Sequence, residues 1–197
     1  MVDFLREVKR DHPDYFCRPV PPFGAADARL LVVGLAPGKH GANASGRPFT
    51  GDHAGILLYA TLHRHGFASA PESLHRGDGL TLLDCRISNA VKCLPPANKP
   101  TTGEVDACNP WLRAELQAPE LRAVLALGLV AHRAVLKTRG LVLSRHPFAH
   151  GAEYRLDDRL RLFSSYHCSR YNTQTRRLTP RMFDDVFSAV SRFIEPA

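Results

Sequence analysis

Ala28-Arg29-Leu30-Leu31-Val32-Val33-Gly34 is a short apolar run that stops at a glycine. Such a run is apolar on both faces, as expected of a parallel strand buried between two layers. The pattern returns at Arg122-Ala123-Val124-Leu125-Ala126-Leu127-Gly128, and Leu80 to Ile87 and Leu160 to Tyr166 supply two further runs. Helical segments lie around and between them. Residues 2–10 carry Val2, Leu5 and Val8 at helical spacing. The others run from about Ala54 to His65, closed by Gly66, from a cap at Thr101 or Thr102 to near Leu116, and from Leu129 to Lys137. The last starts at Pro180, capped by Thr179, and ends near Ile194. Strand and helix alternate, so the predicted fold class is α/β, one domain over residues 1–197 with a mainly parallel central sheet flanked by helices. In such sheets ligands bind beyond the carboxyl ends of the strands. Three polar segments fall there: 35–52, 88–100 and 167–177.

Hydrophobic residues make up 44% of the 197 residues, which argues against disorder. No apolar run approaches the roughly 20 residues of a membrane span, so no membrane partner is expected. The N-terminal stretch MVDFLREVKRDHPDYF is charged and lacks the apolar middle of a signal peptide, which predicts a cytoplasmic protein. The formal net charge of +7 fits either a polyanionic partner such as nucleic acid or an ordinary basic enzyme. Cys17, Cys85, Cys93, Cys108 and Cys168 are odd in number, so the thiols are buried groups or metal ligands rather than a disulfide framework.

The 35–52 segment is glycine-rich and long, and loops of that kind in compact domains carry function. Glycines let backbone approach a ligand closely, and Phe49 between Arg47 and Asp52 offers an aromatic face on which a base can stack. No Gly-Lys-Ser/Thr ends the segment, so it is not a phosphate-binding P-loop. Asp52 is the only acid in it, and is either a reacting carboxylate or the N-cap of the helix near Ala54. Asn89 follows the second strand as a base-reading amide or a turn residue. His167 follows the last strand, before the polar run Ser169 to Thr173, as a donor or a structural histidine. His146 to Gly151 reads as a supporting polar turn.

GLAPG at 34–38, followed by HGAN, GRPFTGD and AG, resembles the first motif of the type B (family 5) uracil-DNA glycosylases. Asn89-Ala90-Val91-Lys92-Cys93-Leu94-Pro95-Pro96 with Asn98-Lys99-Pro100 is similar to the family's second block, and Ser165-Tyr166-His167-Cys168-Ser169-Arg170-Tyr171-Asn172-Thr173 to its histidine motif. The three blocks stand in the family's order and cover nearly the whole chain. The resemblance implies a monofunctional base-excision repair glycosylase that flips a nucleotide out of DNA and hydrolyses the N-glycosidic bond of uracil, with hypoxanthine and xanthine as further substrates. It implies a monomer whose partner is DNA containing uracil or other deaminated bases. The alternative is a catalytically weak, DNA-binding member of the same superfamily.

Asp52 and His167 are implied as catalytic, Asp52 orienting water and balancing the sugar cation and His167 donating to uracil O2. Ala36, Gly38, Asn43, Phe49 and Asn89 are implied to bind the base. Other branches carry Asp at the position of Ala36, and some type B members carry Ala at that of Asn89. Ser169, Arg170, Tyr171, Asn172 and Arg176 are implied to contact DNA, with Arg170 or Tyr171 filling the gap the base leaves. For these charges the alternative is a solvated loop. Type B members also resemble one another in a 4Fe-4S cluster on four cysteines. Cys93 and Cys108, with fourteen residues between them, match the later pair, and Cys17 is a possible third ligand. The family's two N-terminal ligands are missing from this chain, and the resemblance implies a reading frame that extends upstream to a Cys-x-x-Cys.

Overall fold

The computed structural model describes residues 1–195. Its elements are helix α1 (Val2–Asp11), strands β1 (Phe23–Gly24) and β2 (Leu30–Gly34), helices α2 (Ala42–Ser45) and α3 (His53–Arg64), strand β3 (Cys85–Asn89), helix α4 (Thr102–Glu115), strand β4 (Ala123–Leu127), helix α5 (Leu129–Thr138), strands β5 (Glu153–Arg155) and β6 (Arg161–Ser165), and helices α6 (Arg170–Gln174) and α7 (Pro180–Ile194). The strands form one sheet in the order β1-β3-β2-β4-β6-β5. The four inner strands are parallel, and the edge strands β1 and β5 run antiparallel to their neighbours. No described helix is long and apolar enough to cross a membrane.

Period-two alternation decides which residue faces which layer. Leu30 and Val32 of β2 point into a core shared with Leu58, Tyr59 and Leu62 of α3 and with Phe183, Phe187 and Val190 of α7. Leu31 and Val33 point into the opposite core, with Leu112 of α4 and Ala131 and Val135 of α5. Burying a Leu, Val or Phe is worth about 1.5–3 kcal/mol each, so the layered sheet is where most of the favourable free energy collects. The helix after β2 lies on one face and the helix after β4 on the other. The connections therefore part between these two neighbouring strands, which opens a crevice at their carboxyl ends.

Three expectations need correction. The second strand is Cys85–Asn89, not Leu80–Ile87. Asp84 adopts φ 50° and its carboxylate accepts from both the backbone N–H and the Nε of Arg29, at 2.8 and 2.6 Å. That turn sets the register, in which Leu30 opposes Cys85 and Gly34 opposes Asn89. Leu80 and Leu82 are buried because they complete the α3-side core, and Leu82 makes only an isolated bridge to Ala68. The 35–52 segment holds the one-turn helix α2, and the run after His167 is the helix α6, capped by Ser169. α1 packs Leu5 and Val8 on Leu94, with Cys17 and Cys93 at the margin.

Candidate active site

The crevice holds a cleft of about 440 Å³ lined by the β2–α3 connection, the end of β3 and the segment after β6. The size suits a nucleobase-scale ligand. Two glycines explain how its walls close. A Cβ on Gly34 would lie 2.4 Å from Asn89 Oδ1 and 2.6 Å from the Phe49 ring, so only glycine lets amide and ring meet there. A Cβ on Gly41 would lie 2.6 Å from Asp52 Cβ, so glycine there lets the loop close on the carboxylate.

Asp52 is both things the sequence left open. It is the N-cap of α3, its Oδ1 accepting from Gly55 N at 2.9 Å, and it also lines the cleft. Burial raises its pKa above the ordinary 3.8, while the N–H groups of Gly55 and Ala54 and the neighbouring His53 pull it back. Phe49 is buried at φ 54°, a left-handed conformation rare outside glycine, and its ring lies 5.9 Å from that of His167 at an interplanar angle of 27°. Burial pushes the His167 imidazole down to about 4, so the ring is neutral near pH 7. The neutral ring can donate one N–H without carrying charge. The carbonyl of His167 accepts from Asn172 Nδ2 at 2.8 Å. Asn89 is buried at the last position of β3, and Lys92 Nζ donates to its carbonyl at 2.9 Å.

The family model of the uracil DNA glycosylase superfamily matches residues 21–191. The chain belongs to this superfamily. A type-5 uracil-DNA glycosylase of Thermus thermophilus is 51% identical over 90% of this chain and 81% of its own length. One of Mycobacterium leprae is 47% identical over 95% of this chain and 86% of its own. One of Pyrobaculum aerophilum is 45% identical over 87% of this chain and 75% of its own.

In this uracil-DNA glycosylase superfamily member, Asp52, His167, Ala36, Gly38, Phe49, Asn89 and Arg170 all line one cleft. Asn43 does not. It is fully buried, with Nδ2 donating to Cys17 Sγ at 3.4 Å and to the Lys39 carbonyl at 3.5 Å. Ser169 caps α6, and Tyr171 stands 69% exposed at its start. Arg176 is an exposed residue at φ 57° where α6 ends. Lys39, His40, His53 and Asn98 also line the cleft and were not singled out from sequence. His53 could have been, since it directly follows Asp52. Its Nε2 lies 3.0 Å from Thr173 Oγ1 and ties α3 to α6. Arg47, the polar sequence neighbour of Phe49, is a buried clamp paired with Asp78. Cys168, directly after His167, is fully buried, with a pKa raised by that burial and by Asp52.

Burial first, and then the charge of Cys108, raise the Cys93 pKa. Among the described residues no group of three or more His, Cys, Asp or Glu could hold a metal ion. A four-iron cluster needs four ligands, mostly thiolates. The residues present supply one pair, so they do not by themselves fit the whole group.

Proposed function

We propose that this protein removes uracil from DNA by hydrolysing the bond between base and deoxyribose, leaving an abasic site. The observation that carries this reading is the convergence of Asp52, Phe49, Asn89 and His167 on one base-sized cleft at the switch point of the sheet. No extended duplex fits a pocket of that volume, so the nucleotide must leave the stack to enter it. Phe49 then supplies a face for the base. The Asn89 amide offers a donor and an acceptor to the O4 and N3–H edge of uracil. As the glycosidic bond stretches, negative charge grows on the base and positive charge on the sugar. The His167 N–H stabilises the first and the Asp52 carboxylate the second, while Asp52 also orients the attacking water.

Arg170 at the cleft wall and the exposed Tyr171 and Arg176 are the groups proposed to meet the DNA, with Tyr171 or Arg170 filling the gap in the stack. Ser169 and Asn172 shape the α6 turn, Asn172 through its bond to the His167 carbonyl. Asn43 supports the loop through its bond to the Lys39 carbonyl. Cys93 and Cys108 are proposed as one half of a 4Fe-4S site. No step of the reaction is assigned to it.

Base choice tests the reading. Asn89→Ala is expected to slow uracil release more than hypoxanthine release, because the amide matches the uracil edge. Rates on matched oligonucleotides carrying each base measure this. Equal slowing of both would show that Asn89 only shapes the cleft.

A further inference from the structure

Next to the base cleft lies a second hollow, of about 380 Å³. Gly51, Asp52, His53 and Arg170 line both, so the two are separated by one layer of residues. Ile56, Glu72 and Leu74 line the second alone. Ile56 is 67% and Leu74 66% exposed. A single exposed aliphatic residue means little, but here two face one hollow that adjoins the base cleft.

The Leu74 segment is held in place by a buried cation. Arg47, 4% exposed, donates to the Asp78 carboxylate, to Ser73 Oγ at 2.7 Å and to the His75 carbonyl at 2.7 Å. Arg47 also holds the Asp78 carboxyl far below the usual carboxylate range. Asp78 Oδ2 in turn accepts from Leu74 N at 2.9 Å. Leu74 is therefore presented by a pre-ordered segment, and binding against it has less ordering entropy to overcome.

We infer that this hollow seats the base of the nucleotide adjacent, in the same strand, to the one extruded into the cleft. The inference rests on the proposed action on uracil in DNA. Two observations select a base over a phosphate. Glu72 and Asp52 are among the residues that line the hollow, and acidic residues disfavour an anion, while Ile56 and Leu74 give it an aliphatic rim that suits the apolar face of a base. Arg170 forms no ion pair among the described residues and stands on the wall common to both hollows, where the linking phosphate must cross. The subsite makes recognition depend on a neighbour on one side of the uracil.

The experiment combines the double variant Ile56→Ala with Leu74→Ala and three single-stranded oligonucleotides. One holds uracil internally, one lacks the 5′ neighbour and one lacks the 3′ neighbour. Both substitutions are at exposed positions, and an unchanged unfolding midpoint checks the fold. The variant should lose about tenfold in kcat/KM on the internal uracil, which corresponds to about 1.4 kcal/mol. It should lose as much on one truncated substrate and nothing on the other, on which the wild type is itself about tenfold slower. Equal losses on all three, or none on any, would overturn the subsite. A wild-type protein that releases uracil from none of them would overturn the underlying reading and the subsite with it.

Discussion

Asp52→Asn is expected to slow single-turnover uracil release about 10²–10³-fold while DNA affinity persists, the typical cost of removing one charge-stabilising group. Asparagine is as good an N-cap as aspartate, so its side-chain oxygen keeps the bond from Gly55 N at the start of α3 and only the charge is removed. Two further readouts separate chemistry from structure. The wild-type rate should fall as pH drops through the Asp52 pKa, which lies above 3.8, and the variant should lack that limb. Stability moves the other way. A group whose folded pKa is raised contributes stability that is full below its unfolded pKa and is lost as pH rises through the folded one. The amide that replaces the carboxylate cannot ionise, so the unfolding midpoint of the variant at pH 7 should rise rather than fall. A variant that keeps near wild-type release would remove Asp52 from the mechanism.

His167→Ala is expected to cost a similar factor of about 10²–10³ in the chemical step. The imidazole is neutral because burial leaves its charged form without solvation, which suits a donor to a developing anion. Its folded pKa is depressed from 6.5 to about 4. The associated stability is therefore present above about pH 6.5 and lost as pH falls through about 4. Removing the ring should shrink the difference in unfolding midpoint between pH 7 and pH 4.5. The ring also lies against Phe49, so the variant should lose stability at pH 7 through lost packing. Excision at the wild-type rate with that stability loss would make His167 a structural residue only.

The inner sheet was legible in the sequence because strands buried on both faces are written as unbroken apolar runs, as at Leu30–Gly34 and Ala123–Leu127. The edge strands were not. Phe23–Gly24 has two residues, and Glu153–Arg155 is polar, so neither shows a period. Helices α2 and α6 are likewise too short for a 3.6-residue repeat to register. The displacement of β3 came from Leu80 and Leu82, whose apolar character serves the core without belonging to the strand. In the site, Asp52, Phe49, Asn89 and His167 were legible through their motifs and do meet in space. Asn43 shares a motif with cleft residues, yet its amide turns inward toward Cys17. The role of Arg47 depends on Asp78, a partner 31 residues away that no local pattern reveals.

The most direct test of the central claim uses one end-labelled oligonucleotide bearing a single uracil, single-stranded and in duplex. It is incubated with the protein and divided between direct electrophoresis and electrophoresis after alkali. Free uracil should appear, with strand breaks at the uracil position only after alkali, because hydrolysis leaves an intact abasic strand. No free uracil from either substrate would contradict the account. Breaks without alkali would contradict the hydrolytic, monofunctional part of it. They would point to the Lys39 amine, which lines the cleft, as an attacking group on the sugar.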